Sequence, residues 1–339
     1  MDLIKSNDLP SKKPEDLINI YLQDIGSDLQ GMESEDTYRR TLQQFGGFLE
    51  IEEVTIGDLV KSDVVKYREY LKTKVDERTG KLLSPFTVNN YVSAVKRFLN
   101  WLEVETGGQF FNVAKNVKTI KIAKGYTKSP LNTAQTKLIY QHLQEQIDKA
   151  ERDSRRELTA LRNMLLYDLL LKTGMRTMSA VNVTMKDIQK EGDRYIIYFK
   201  QKGKAGKAVA ILEPNTVKRI HSYLEVRENK EADDFLFVSH SNRSSGKGLT
   251  TKSVRREIRS IFDDCGLLKN LDGQRSMHKL TAHSLRHTFA TETAKEKGIY
   301  ITQMELGHTS SDTTMLYTKM IQQQKRFRDR IDYDKLFEG

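Results

Sequence analysis

The side chains of this sequence best suited to chemistry crowd toward its end, between His283 and Tyr317. His283 and Arg286 stand three apart, so on a helix they share one face and set a proton-transfer group beside a fixed cation. Arg286 carries a planar fork of donors that matches phosphate oxygens, and it stays charged at any ordinary pH. His308 follows the turn-like pair Leu306-Gly307, and Tyr317 comes nine positions later. A tyrosine can be a covalent nucleophile, yet with a pKa near 10 only ~0.1% of it is ionised at neutral pH. It needs an acceptor for its proton and a cationic neighbourhood, and this run holds both. His283 and His287 have the spacing of a metal pair, but no third ligand stands at a sensible distance, so no metal and no cofactor is expected.

These residues need elements to position them. A largely apolar helix is predicted from Arg156 to Lys172, with Leu158, Leu161, Leu165, Leu169 and Leu170 reading as core. It runs into Thr173-Gly174-Met175-Arg176, where Gly174 permits the sharp turn that ends a helix. Arg176 leaves an apolar setting, where an unpaired charge is costly, so it is either a structural ion pair or a cation held for an anion. A strand over Tyr195–Phe199 and a return strand over Ala208–Leu212 flank a glycine-bearing tip with Lys200, Lys202, Lys204 and Lys207. Lysines at such a tip are ordinarily edge protection. Further helices are predicted at Thr216–Leu224 and Thr251–Phe262, with a short apolar strand, Phe235–Val238, between them. His142, His221, His240 and His278 have no partner pattern; the last three read as surface residues.

The first part of the chain is all helix. Pro14 suits a first helical position ahead of Leu17, Ile18, Tyr21, Leu22 and Ile25. Tyr38, Leu42, Phe45 and Leu49 mark a second helix. Val64, Tyr67, Tyr70 and Leu71 mark a third, with Asp63 as its candidate cap. Ser84-Pro85 opens a fourth, with Val88, Val92, Val95, Phe98, Leu99 and Leu102 on one face. This organisation divides the chain into a helical domain over 11–118, a basic linker over 119–130, a second domain over 131–320 and a tail over 321–339. The lysine-rich run 115–128 reads either as a track along a phosphate backbone or as plain spacer.

At 339 residues with a formal net charge of +10, the chain favours a polyanionic partner without naming it. Its single cysteine, Cys265, excludes an internal disulfide and a thiolate zinc site and suits a reducing cytoplasm. The first residues lack the apolar core of a signal peptide, and no apolar run approaches the ~18 residues of a membrane span. A soluble, cytoplasmic protein with no membrane partner is expected.

The ordered set His283-Ser-Leu-Arg286-His-Thr-Phe-Ala, Leu306-Gly-His308 and Tyr317 in Thr-Thr-Met-Leu-Tyr-Thr resembles the C-terminal signature of the tyrosine recombinases, the integrase, Xer and Cre family. The resemblance implies a mostly α fold with a small antiparallel β-sheet, a helical core-binding domain and a mixed α/β catalytic domain forming a C-shaped clamp on DNA. It implies Tyr317 as nucleophile, forming a 3′-phosphotyrosyl link, and Arg176 and Arg286 as the arginines that hold the scissile phosphate. His283 would take or relay the tyrosine proton and His308 would donate a hydrogen bond. Lys202 would protonate the leaving oxygen, with Lys204 as the alternative. Ser84, Thr87, Lys96, Arg97, Lys118, Lys121, Lys124, Lys204, Lys252 and Arg255 are the candidate DNA contacts. One departure is visible: the family usually has an acidic residue three positions after the first arginine, and here stands Ser179.

The implied partners are a double-stranded recombination site and three further copies in a tetramer on two sites, the free protein being a monomer or weak oligomer, with room for accessory factors. The tail is expected to dock on a neighbouring protomer, the alternative being its own domain. A mobile-element integrase is the first reading and Xer-type dimer resolution the second. A type IB topoisomerase or a non-catalytic DNA-binding protein would be other classes. Phosphate contacts release counterions, so log K for DNA should fall by about 0.9 per phosphate neutralised for each unit of log salt. A binding titration at low and moderate salt checks this, and unchanged affinity would contradict a charged interface.

Overall fold

Pro14 and Pro85 each open a helix whose apolar face builds the first core. In the computed structural model, which describes residues 12–27, 32–77, 79–122, 130–201, 206–228, 231–269 and 280–306, the chain divides into two compact units, Met1–Gly125 and Tyr126–Gly339. In the first unit α1 (Pro14–Asp24) buries Leu17, Ile18, Tyr21 and Leu22. α2 (Met32–Ile51) contributes Leu42, Phe45, Phe48 and Leu49, and α3 (Lys61–Thr73) contributes Val64, Tyr67 and Leu71. α4 (Pro85–Glu105) buries Val88, Val92, Val95, Phe98, Leu99 and Leu102. The Tyr67 ring lies 5.0 Å from Phe45 and 5.2 Å from Phe48, in edge-on and tilted contacts that suit the ring quadrupoles.

Three details differ from the sequence reading. Asp63 is not the cap residue of α3; it stands in the first turn and accepts the Val60 N–H at 3.0 Å. A two-stranded hairpin, β1 (Val75–Asp76) with β2 (Lys81–Leu82), joins α3 to α4, too short to leave a periodic pattern. The lysine-rich run is also fastened at its start. Asn89 exchanges two hydrogen bonds with the backbone of Ile120, at 2.8 and 2.9 Å. Lys96 Nζ donates to the Val117 carbonyl at 2.6 Å and Arg68 to that of Lys118 at 2.7 Å, while Ala114 and Val117 are buried in the helical core. Residues up to Ile120 are thus folded onto α3 and α4. Side chains that bond to backbone carry no local signature, so composition alone read this stretch as linker.

The second unit is centred on α6 (Arg155–Thr173). Six successive residues, Leu165 to Leu170, are buried, because α5 (Thr133–Asp148), α8 (Pro214–Val226) and α10 (Ala282–Glu296) all pack on it. Within this apolar helix Asp168 is wholly buried. It accepts from Tyr140 on α5 and Thr216 on α8, each at 2.5 Å, and from Arg219 at 3.0 Å, with Lys172 at 3.3 Å. Burial and the Asp168 charge both raise the pKa of the Tyr140 phenol, so it stays protonated and donates. After the short α7 (Thr177–Val181), a three-stranded antiparallel sheet follows in the order β3 (Ile188–Glu191), β4 (Arg194–Lys200), β5 (Lys207–Leu212). The sequence reading missed β3, whose residues Gln189, Lys190 and Glu191 are exposed and lack an apolar face.

Between α8 and α9 (Thr251–Asp264), Phe235–Val238 is not a strand. Its ends form isolated bridges, Thr184 with Phe235 and Val238 with Gly248, while Leu236, Phe237 and Val238 fill the core. His240 is no surface residue: it is 7% exposed, and its Nε2 lies 2.9 Å from the Tyr223 hydroxyl. Burial, then the nearby Arg162, Arg227 and Arg155, push its pKa down to about 4.

The folded chain therefore keeps His240 neutral while the unfolded chain takes up a proton below its ordinary pKa of about 6.5. Stability should fall as pH drops from there toward 4 and this contribution should level off below. His240→Gln should make the fall in thermal midpoint over that range shallower than in wild type. Identical slopes would remove His240 from the account.

Candidate active site

α6 ends where the catalytic chemistry is expected to begin. Gly174 caps it with φ +61°, a left-handed conformation that costs a residue with a Cβ about 1–2 kcal/mol. A Cβ at this position would also meet the Phe289 ring of α10 at 2.3 Å. The turn needs glycine on both counts. Met175 is buried behind it, and Arg176, half-buried and extended, stands at the cap position of α7.

α10 brings the other charged residues to the same turn. Ser284 and Thr281 close its N-terminus, through Ser284 N to Thr281 O at 2.7 Å and Thr281 N to Ser284 Oγ at 3.1 Å. His283 lies in the first turn, exposed, its ring 4.9 Å from that of His287 in an edge-to-face arrangement. Arg286, on the next turn, is 4% exposed. Its Nη1 donates to the Gly174 carbonyl at 2.5 Å and its Nη2 to the Leu306 carbonyl at 2.7 Å. Leu306 ends α11 (Gly298–Leu306), and Gly174 follows the last residue of α6. The last carbonyls of a helix have no partner within it and carry the negative end of its dipole, so one guanidinium serves both helix ends. Arg286 thereby joins the peptide that precedes Met175-Arg176 to the one that precedes Gly307-His308.

The hairpin packs against α7 through β4. The last ladder pair is Lys200 opposite Lys207. Lys207 Nζ donates to Asp187 at 2.5 Å, and Ser179 Oγ donates to the Lys200 carbonyl at 2.6 Å. Sequence reasoning found Ser179 only as a departure and missed Asp187 altogether. Lys202, Lys204, His308, Tyr317, Lys124, His278 and the tail lie outside the described residues.

The candidate DNA contacts are spread over both units. Ser84 Oγ caps α4, accepting Thr87 N at 3.1 Å and sharing a proton with Thr87 Oγ1 at 2.8 Å. Lys96 is engaged with Val117, as above, and Arg97 donates to the Tyr38 hydroxyl. Lys118, Lys121, and Lys252 and Arg255 on α9 are exposed. Among the described residues no group of three or more His, Cys, Asp or Glu could hold a metal, and no helix is long and apolar enough to cross a membrane.

Gly174→Ala should cost about 1–3 kcal/mol of stability from the backbone alone. Cleavage of DNA should fall further than binding, because the turn carries Arg176 and the carbonyl that Arg286 holds. Phe289→Leu added to it should recover only the steric part. A wild-type thermal midpoint and wild-type cleavage in Gly174→Ala would contradict this account of the turn.

The phage integrase family matches residues 131–324. The chain is 30% identical over 267 residues to tyrosine recombinase XerH of Campylobacter jejuni, a match covering 74% of this chain and 69% of that one. Among solved structures, XerH site-specific recombinase bound to palindromic difH substrate in a post-cleavage complex gives a TM-score of 0.68 at 22% identity, over 96% of this chain and 86% of that one. A lambda integrase tetramer bound to a Holliday junction gives 0.60 at 16% identity, over 90% and 80%. The two structural likenesses bear on the fold, whereas the sequence match spans more than half of the chain. With that span, and with the motif of α10 folded against the turn before Arg176, the chain belongs to the phage integrase family and is a tyrosine recombinase.

Proposed function

We propose that this recombinase cuts and rejoins DNA at specific sites through a 3′-phosphotyrosyl intermediate on Tyr317. The observation that carries the reading is the pair of hydrogen bonds from Arg286, which ties the approach to Arg176 to the approach to His308. The Tyr317 oxygen attacks the scissile phosphorus as its proton passes to His283, and the bond from phosphorus to the 5′-oxygen breaks. Lys202, or Lys204 in its place, gives the departing 5′-oxygen its proton. Arg176 and Arg286 hold the non-bridging oxygens and stabilise the charge that grows on the pentavalent transition state, and His308 donates to the same phosphate. A 5′-hydroxyl from a partner duplex reverses the steps and seals the exchanged strand. The phosphodiester energy is kept in the covalent link, so no ATP is consumed, and cations of the chain do the work of a metal.

The substrate is a double-stranded recombination site. Ser84, Thr87, Lys96, Arg97, Lys118, Lys121, Lys124, Lys204, Lys252 and Arg255 contact its backbone and position it without reading much sequence. The working assembly is a homotetramer on two sites, with residues 321–339 docking on a neighbouring protomer. A helical core-binding domain over 11–118, a linker over 119–130 and a catalytic domain over 131–320 divide these tasks. The biological role is integration or excision of a mobile element, supported by the basic tail and by Ser179 where an acid is usual. The likeness to XerH favours dimer resolution as the second reading. Sequencing the DNA that flanks the gene separates the two.

Tyr317→Phe removes one hydroxyl, so DNA binding should persist while cleavage stops. Wild-type protein trapped on a nicked suicide substrate should carry the DNA on the peptide containing Tyr317, as read by mass spectrometry. An adduct on another residue, or an undiminished adduct from Tyr317→Phe, would overturn the mechanism.

A further inference from the structure

We propose that Ser179 and Asp187 are positioning residues that hold the two feet of the β4–β5 hairpin at a fixed register to Arg176. The inference rests on the reading above that the hairpin turn delivers the general acid. Residues 176–187 form one continuous segment, and each foot of the hairpin is bonded to it. On one side the Ser179 hydroxyl, 4% exposed, donates to the Lys200 carbonyl at 2.6 Å. On the other, Lys207 Nζ donates to Asp187 Oδ1 at 2.5 Å. Lys200 and Lys207 face each other as the last pair of the ladder, so these two bonds fasten the strands where the turn begins.

The segment that holds them is itself anchored. Asp187 Oδ2 accepts from Thr184 N at 2.9 Å and from Thr184 Oγ1 at 2.8 Å. Leu236 N donates to Val183 O at 2.8 Å, and Met185 N to Asp234 O at 2.9 Å, which roots residues 183–185 in the core. Burial pushes the Asp187 carboxyl up, but the Lys207 ammonium and the Thr184 donors outweigh it, so the carboxylate remains charged below its ordinary range. Neither bond is where a general buried-polar requirement would have to put it. A solvated lysine tip needs no attachment to the helix that follows Arg176, whereas a tip that must place one ammonium against the leaving 5′-oxygen of a phosphate held by Arg176 does. A misplacement of about 1 Å can cost a factor of ~10² in rate.

A serine that only satisfies a buried carbonyl and a serine that sets the hairpin differ in one observable. Ser179→Ala should lower cleavage of an ordinary suicide substrate by about tenfold or more with DNA binding and thermal midpoint close to wild type. A substrate whose 5′-bridging oxygen is sulfur leaves without a proton, and on it Ser179→Ala should cleave nearly as fast as wild type. Lys207→Met, which loosens the other foot, should show the same pattern. In the background of whichever of Lys202→Ala and Lys204→Ala lowers cleavage, Ser179→Ala should cost nothing more, since residues that act through one another are not additive.

Equal losses on the oxygen and sulfur substrates would place Ser179 with the phosphate or the fold and overturn the proposal. So would wild-type cleavage by both Ser179→Ala and Lys207→Met, or a full further loss in the background of the lysine variant that lowers cleavage. Undiminished cleavage by both Lys202→Ala and Lys204→Ala would sink the general-acid reading itself, and the proposal with it, by a result distinct from any of these.

Discussion

The meeting of α6, α10 and α11 in the second unit depends on where Arg286 spends its donors. Two of its five N–H groups go to carbonyls at the ends of α6 and α11. Those carbonyls orient the guanidinium. The same bonds also do structural work, closing a junction between α6 and the consecutive helices α10 and α11.

A good part of this was legible in the sequence, and the reason is geometric. Apolar residues at helical spacing give α1 to α4 and α6, proline and serine mark where α1 and α4 begin, and Gly174 marks where α6 stops. His283 and Arg286 could be singled out by their spacing of three, and Arg176 by the apolar run that it leaves. What could not be read is what holds them. Two partners of Arg286 are the carbonyls of Gly174 and Leu306, and a backbone carbonyl is common to every residue. The bond from Ser179 to Lys200 and those from Asn89 to Ile120 are hidden for the same reason.

Other misreadings have other causes. Phe235–Val238 has the composition of a strand, but it pairs only through single bridges at its two ends, so burial rather than a ladder accounts for its apolar run. His240 has no partner pattern along the chain because its surroundings come from elsewhere, Arg162 from α6 and Tyr223 and Arg227 from α8 and its C-cap. The strand β3 and the hairpin β1–β2 are short and largely exposed, and nothing in their residue types separates them from loops.

The buried Asp168 has a consequence for the helix that carries it. An amphipathic helix can turn about its axis in only one way, since its stripe must face the core. α6 is buried on every side over Leu165–Leu170 and has no such stripe to orient it. A slip of one residue would rotate it by about 100° at little hydrophobic cost. Asp168 removes that degeneracy, because only one rotation brings a carboxylate to Tyr140, Thr216 and Arg219 together. Gly174 lies six residues further along the same helix. The direction in which the chain leaves α6 toward Arg176 therefore depends on an acid in the middle of a helix that has no apolar stripe, with the buried Arg162 nearer its start.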